Sequence, residues 1–111
     1  MPFKEHHIKK VYYSIGEVSE MFDVAPSLIR FWESEFDSLK PKKNHKGNRQ
    51  YSIDDIEELK LIYYLVKERG YTIPGAREKL RLDRKKALDN MHAVKSLEKV
   101  KRFLIDLKNN L

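Results

Sequence analysis

The segment from Ser14 to Tyr51 constrains the fold more than any other part of the chain, because it holds two short helix patterns separated by three residues. The apolar residues of the first pattern recur at helical spacing and are Ile15, Val18, Met21 and Phe22. The connection Asp23-Val24-Ala25 is too short for a loop of its own, so the second helix must leave at a steep angle. Val24 is expected to fill the corner. The segment therefore predicts a helix-turn-helix.

Local signals place the start of both helices. Ser14 and Glu17 have the spacing of a capping box, and Pro26 suits the first turn of the second helix, where a missing N–H costs nothing. One side of the second helix is expected to face the first and consists of Leu28, Ile29 and Trp32. The other side is expected to face solvent or a groove and includes Ser27, Arg30 and Glu33.

A basic loop follows, and we interpret residues 40–51 as a β-hairpin wing. Between positions 40 and 49 the chain has five positive charges and no negative one. Gly47-Asn48 can occupy positive φ and turn the hairpin. The cations that line its edges are Lys42, Lys43, Lys46 and Arg49. A lysine cluster is usually only a solvated loop, but its place directly after a recognition-helix pattern favours phosphate binding. Val11-Tyr12-Tyr13 is expected to be a short strand paired with this hairpin.

The next part of the chain predicts two further helices. Ser52 to Arg69 has one apolar stripe, Ser52 as its cap, Asp54 and Asp55 in its first turn and Gly70 after its end. Thr72 caps a short helix that is expected to run through Leu80. The residues Ile73, Ala76 and Leu80 are expected to pack this helix against the preceding one. Tyr63 and Tyr64 suggest a base-stacking platform, but aromatics at helical spacing are more often core or interface residues, and we favour that interpretation.

Residues 81–86 are a basic linker that either continues as helix or bends. Beyond it, apolar residues recur at intervals of three and four residues, the spacing of a coiled-coil seam: Leu97, Val100, Leu104, Leu107 and Leu111. The sequence offers no second core to cover these residues. They therefore need a partner helix, or the helix must fold back onto the N-terminal part of its own chain, which we call the head. We favour pairing between two subunits.

Composition narrows the class of protein. The chain has 111 residues, a net charge of +6 and a pI of about 9.5, which favour a polyanionic partner. Charged residues make up 36% of the chain, so no membrane-spanning segment is expected, and the N-terminus has no secretory signal. Cysteine is absent, which excludes thiolate metal sites and fits a reducing cytosol. His6-His7 are expected to be solvated rather than metal ligands, and no cofactor is predicted.

Several motifs in one order resemble the MerR family of bacterial transcription regulators. They are Ile15-Gly-Glu-Val18, Leu28-Ile-Arg-Phe-Trp-Glu33, Gly47-Asn-Arg-Gln-Tyr51 and Gly70-Tyr-Thr-Ile73, and the resemblance covers about residues 12–80. The family usually has Ala at Ser19, Gly at Asp23, a small hydroxyl residue at Ala25 and tyrosines at Phe31 and Trp32. Those tyrosine hydroxyls reach phosphates in relatives, and Phe31 lacks one while Trp32 has only an indole N–H.

The resemblance implies a mostly α winged helix-turn-helix with a small β-hairpin wing and a C-terminal dimerisation helix. We expect a tail over residues 1–11, a DNA-binding domain over 12–80, the linker over 81–86 and an antiparallel coiled coil over 87–111. It also implies a second wing whose backbone amides touch phosphates near Thr72. The family's DNA distortion can realign promoter elements for RNA polymerase.

The sequence therefore predicts a homodimeric, sequence-specific DNA-binding transcription regulator, cytoplasmic and associated with the nucleoid. Arg30 is the leading candidate for base recognition, because its guanidinium can pair with guanine. The full predicted DNA-binding set is Ser27, Arg30, Phe31, Trp32, Glu33, Lys42, Lys43, Lys46, Asn48, Arg49, Tyr51 and Thr72. An architectural, excisionase-like DNA-bending protein is the alternative. A protein-interaction adaptor leaves the wing's charge unexplained, and the sequence contains no motif typical of an enzyme site.

Overall fold

The computed structural model describes residues 11–110. Within them the elements are, in chain order, α1 Ile15–Phe22, α2 Pro26–Glu35, β1 Lys42–Lys43, β2 Arg49–Gln50, α3 Ile53–Tyr63, a π-helical turn Tyr64–Glu68, and α4 Ile73–Asn109. The predicted mostly helical class with a small hairpin is confirmed. Residues 1–10 of the predicted tail, with His6-His7, lie outside the described residues, as does Leu111.

The helix-turn-helix begins and turns as its local signals predict. Ser14 Oγ accepts a hydrogen bond from the Glu17 N–H, and the Glu17 carboxylate accepts one from the Ser14 N–H, both at 3.1 Å. Asp23 ends α1 in the left-handed region, with φ of 54° and ψ of 48°. Aspartate is one of the few non-glycine residues that adopts this conformation readily. The tight turn therefore forms here without glycine.

One core joins the helices. Val18 and Phe22 of α1, Ile29 and Trp32 of α2, and apolar residues of α3 and α4 are all nearly inaccessible to solvent. The Tyr63 ring packs edge-on against Trp32, with the two ring centroids 6.3 Å apart. The centroids of Tyr63 and Phe22 are 5.8 Å apart. Tyr64 is buried. The interpretation of these tyrosines as packing residues is confirmed.

The wing is a short antiparallel hairpin, with Lys42 opposite Gln50 and Lys43 opposite Arg49. Gly47 has a φ of 81°, but Asn48 does not share the positive φ that was expected of both. Instead, the Asn44 carboxamide oxygen accepts hydrogen bonds from the N–H groups of Lys46 and Asn48 at 2.9 and 3.0 Å. These two bonds to the Asn44 side chain close the turn in the way that backbone hydrogen bonds do in other turns.

The base of the wing is joined to the start of the chain. The expected strand over residues 11–13 is reduced to Tyr13, which forms an isolated antiparallel bridge with Tyr51. Their two N–H···O bonds are both 2.8 Å long. Ser52 and Asp55 then form a capping box for α3, and Gly70, with φ of 73°, follows the π-helical turn.

Helix α4 consists of two helical segments joined by a kink. Thr72 caps the first segment as expected, by accepting a bond from the Gly75 N–H at 3.1 Å. The kink lies at Asp83, which has non-helical backbone angles of φ −135° and ψ 37°, so the segment 81–86, for which the sequence left helix and bend open, contains a bend. Ala87 and Met91 still pack on the core, as do the partly buried Leu88 and Val94, and the apolar residues from Leu97 onward are exposed. None of the helices within residues 11–110 is long and apolar enough to cross a membrane.

Candidate nucleic-acid interface

Helix α2 presents one solvent-facing side, opposite the side that holds it in the core. Ile29 and Trp32 are 0% and 1% exposed, which directs the following exposed side chains outward: Ser27, Arg30, Phe31 and Ser34. Their spacing of three, one and three residues is that of a single helical face. Ser34 was missed from the sequence, although it completes the i, i+3, i+4, i+7 pattern that starts at Ser27.

The guanidinium of Arg30 is available to a binding partner. Within residues 11–110 its guanidinium forms no hydrogen bond or ion pair, whereas Arg49, Arg77, Arg81 and Arg84 all bind carboxylates. A guanidinium keeps five donors in a fixed fork. The exposed face of α2 therefore carries a full set of free donors.

Trp32 does not lie on this face. Its side chain is 1% exposed and packs edge-on against Tyr63. The predicted contact of Trp32 with a duplex stays a prediction, and the packing of its indole against Tyr63 accounts for the residue structurally. Trp32 fixes the position of α2.

Glu33 joins α2 to the wing. Its Oε2 atom accepts a hydrogen bond from Arg49 Nε at 2.8 Å and a second from the Tyr51 hydroxyl at 3.0 Å. The side chain of Glu33 is only 20% exposed. The carboxylate of this predicted DNA-binding residue is thus turned toward the hairpin and satisfied there.

Tyr51 is a structural residue in this arrangement. It is completely buried, and its predicted direct contact with DNA stays a prediction. Burial, together with the neighbouring charge of Glu33 and the hydrogen bond to it, raises the pKa of Tyr51 well above its usual range. The phenol therefore stays protonated and donates to Glu33.

The wing carries uncompensated positive charge. Lys42, Lys43 and Lys46 are exposed and, within the described part of the chain, form no ion pair. Asn48 is also exposed at the turn. Arg49 is half-buried, with its Nε atom on Glu33, so the predicted phosphate contact would fall to its remaining N–H groups. Free cations are thus exposed on two elements, Arg30 on α2 and the three lysines on the wing, and the hydrogen bonds to Glu33 join these two elements.

Thr72 lies at the start of α4, where its hydroxyl accepts the Gly75 N–H. The side chain is exposed. The helix cap explains the residue fully in structural terms, and its predicted proximity to phosphates stays a prediction.

The C-terminal half of α4 carries the predicted dimerisation residues on its surface. Leu97, Val100, Leu104 and Leu107 are 69%, 55%, 57% and 51% exposed. None of them folds back onto the head, which ends its contact with α4 at the partly buried Val94. Phe103 and Ile105, which the sequence analysis did not single out, are also exposed, at 65% and 46%. We call the set Leu97, Val100, Phe103, Leu104 and Leu107 the apolar stripe.

Comparisons with known proteins point to one family. The model of the MerR HTH family of regulatory proteins matches residues 13–83. The HTH-type transcriptional regulator MlrA of Escherichia coli (strain K12) and of Salmonella typhimurium is 34% identical over 50 residues. That match covers 45% of this chain and 21% of MlrA, so it spans about a fifth of the relative.

Three solved structures share the fold. HiNmlR, described as a MerR family regulator lacking the sensor domain and bound to promoter DNA, has a TM-score of 0.57 and 18% identity, over 89% of this chain and 86% of its own. A MerR family regulator from Bacillus thuringiensis has a TM-score of 0.55 and 22% identity, over 89% and 96% of the two chains. One from Bacillus cereus has 0.57 and 21%, over 86% and 72%.

The match to the family model covers more than half of the sequence. It includes the helix-turn-helix, the wing, α3 and the first part of α4. The protein belongs to the MerR family of helix-turn-helix regulatory proteins.

Proposed function

We propose that this protein is a homodimeric, sequence-specific DNA-binding transcription regulator. The observation that carries the proposal is Arg30 on the exposed face of α2, next to a wing with Lys42, Lys43 and Lys46. None of these four side chains has an ion-pair partner among residues 11–110. Free cations at this density fit a polyanion, and a helix with a free guanidinium fits the major groove, where guanine presents two acceptors.

The two hydrogen bonds that Glu33 accepts from the wing suggest how one protomer would use α2 and the wing together. Because Arg49 and Tyr51 both donate to Glu33, the hairpin is held in a defined position relative to α2. When α2 enters the major groove, Lys42, Lys43 and Lys46 are then carried to the neighbouring phosphates. Phosphate contacts of this kind set the orientation on the duplex, and base contacts set the sequence.

The apolar stripe supports the homodimer. Five large apolar side chains on one helix, each more than half exposed, form a surface that a second copy of α4 would cover. Full burial of such a side chain contributes about 1.5–3 kcal/mol. Antiparallel pairing around a two-fold axis would present two heads to one duplex, so the proposed site is near-palindromic.

DNA distortion and action on RNA polymerase at a promoter belong to the same proposal, in a cytoplasmic protein at the nucleoid. Bending a site costs on the order of several kcal/mol, which contacts from both heads would have to offset. HiNmlR, described as bound to promoter DNA without a sensor domain, supports a promoter-directed role for a chain of this architecture. Many shallow sites in a genome-wide binding map would instead favour the architectural alternative.

The proposal is tested by selecting bound duplexes from a random DNA pool and measuring their affinity. We expect a near-palindromic sequence containing a guanine that depends on Arg30. Arg30→Ala should weaken binding to that sequence by about 1–3 kcal/mol and relax the preference at one position of each half-site.

Arg102→Ala is the control, since it removes the same charge from the exposed end of α4. Equal losses for Arg30→Ala on selected and random duplexes would contradict base recognition by this residue. Selection that enriches no sequence would contradict the proposed function itself.

A further inference from the structure

Phe31 is exposed where the other aromatic residues of the helix-turn-helix are buried. Its side chain is 46% exposed, against 1% for Phe22, 1% for Trp32 and 2% for Phe36. Within residues 11–110 the Phe31 ring pairs with no other aromatic ring. The core therefore does not account for an aromatic residue at this position.

Helical geometry places Phe31 on the exposed face of α2, the face that we propose enters the major groove. Successive residues are roughly 100° apart around a helix, so Phe31 and Arg30 lie on opposite sides of the line through Ser27 and Ser34. Arg30 is on the side of Glu33 and the wing. Phe31 is on the other side of the same face, away from the lysines of the hairpin.

The chemistry of the ring limits what it can contact. Phe31 has no hydroxyl to offer to a phosphate, and its ring would remove water from an anionic backbone without a compensating hydrogen bond. In the major groove the one apolar group on the edges of the four standard bases is the 5-methyl of thymine, which phenylalanine can contact. Burial of that methyl group against the ring removes apolar surface of both partners from water.

We propose that Phe31 recognises a thymine methyl group in each half-site, beside the base pair that Arg30 contacts. Adjacent Cα atoms are about 3.8 Å apart and base pairs rise by about 3.4 Å, so the thymine lies within about two base pairs of the guanine bound by Arg30. The inference rests on the proposed function and adds a second specificity-determining residue to it.

The test removes the methyl group from the DNA rather than the ring from the protein. Starting from the selected duplex, each thymine of the half-site is replaced in turn by deoxyuridine, which pairs identically and lacks only the 5-methyl. Binding is measured by fluorescence anisotropy for the wild-type protein and for Phe31→Ala. Phe31→Leu serves as a second variant, since it keeps an apolar side chain.

We expect one thymine per half-site whose replacement weakens wild-type binding by about fourfold, the factor for one methyl-sized group. The same replacement should leave Phe31→Ala binding unchanged and should have an intermediate effect on Phe31→Leu. Because Phe31 is half exposed, Phe31→Ala should keep the wild-type circular dichroism spectrum.

Two results would overturn the inference while leaving the proposed function intact. One is specific binding by the wild-type protein that no deoxyuridine replacement weakens. The other is an equal loss for wild type and Phe31→Ala at every thymine, which would show that a residue other than Phe31 contacts the methyl groups. Absence of sequence-specific binding by the wild-type protein would instead overturn the proposed function, and this inference with it.

Discussion

The hydrogen bond from Tyr51 to Glu33 should be a large single contribution to the stability of the head. Tyr51→Phe removes one hydroxyl from a completely buried ring and leaves the rest of the ring in place. Because the acceptor is a carboxylate, the lost bond contributes about 1.5–3 kcal/mol to the free energy of unfolding. The Glu33 carboxylate also loses one of its two donors, which are 2.8 and 3.0 Å from Oε2.

The assay is urea unfolding followed by circular dichroism, at one fixed protein concentration, because dimerisation would make the apparent stability depend on concentration. Tyr12→Phe is the matched control. Tyr12 is 37% exposed, and no hydrogen bond of its hydroxyl is present within the described residues. Its replacement should change the free energy of unfolding by less than about 0.5 kcal/mol.

Alkaline pH gives a second measure of the same contact. The pKa of Tyr51 is raised in the folded protein, above the value near 10 of an exposed tyrosine. Above about pH 10 the unfolded chain therefore loses the Tyr51 proton while the folded chain keeps it, so stability falls as pH rises. The advantage of wild type over Tyr51→Phe should be complete below pH 10 and then shrink by up to about 1.4 kcal/mol per pH unit.

A Tyr51→Phe protein as stable as Tyr12→Phe would refute the assigned bond. An advantage of wild type that stays constant from pH 8 to pH 11 would refute the cause given for the raised pKa, which is burial beside Glu33.

Three further predictions concern other parts of the molecule. The Tyr13 hydroxyl is buried with no hydrogen-bond partner among the described residues, so Tyr13→Phe should leave the free energy of unfolding unchanged or raise it by about 1–3 kcal/mol in the same urea assay; a loss would show that the hydroxyl is satisfied. Replacing Lys43 and Lys46 together by Ala should weaken binding to all duplexes alike and reduce the slope of log K against log salt by about 1.8, whereas Lys99→Ala on α4 should leave the slope unchanged; an unaltered slope in the double variant would remove both lysines from the interface. Leu104→Asp should give monomers in sedimentation because it buries an unpaired charge in the pairing surface, while Ile105→Asp, one residue along and about 100° around the helix, should stay dimeric; a dimeric Leu104→Asp protein would place the subunit contact elsewhere.

Local patterns were sufficient to predict most of the fold. The capping box at Ser14, the caps at Ser52 and Thr72 and the end of the helical run at Gly70 all depend on residues within three or four positions of one another. Apolar spacing predicted the buried sides of α1, α2 and α3 for the same reason. The course of residues 81–86 was left open between helix and bend, because this basic segment gives no local signal that separates the two. The structure has a kink at Asp83, and the adjacent ion pair between Arg84 and Glu58 of α3 joins residues 26 positions apart.

The candidate site divides in the same way. The exposed positions of Arg30 and of Lys42, Lys43 and Lys46 follow from helical periodicity and from a run of cations, both readable along the chain. The roles of Glu33, Tyr51 and Trp32 could not be predicted from the sequence, because each depends on a contact with a distant element. Glu33 accepts hydrogen bonds from Arg49 and Tyr51 of the wing, and Trp32 packs against Tyr63.

The sequence by itself determined the helix-turn-helix, the cationic hairpin after it and the apolar spacing of the last helix, because these features arise from interactions over a few residues. Only the tertiary structure decided which polar and aromatic side chains are free to meet a partner. Packing of α2 against α3 removed Trp32 from the surface, and the approach of the wing engaged Glu33 with Arg49 and Tyr51. Arg30 and Phe31 remain exposed because they lie on the side of α2 that no other described element covers.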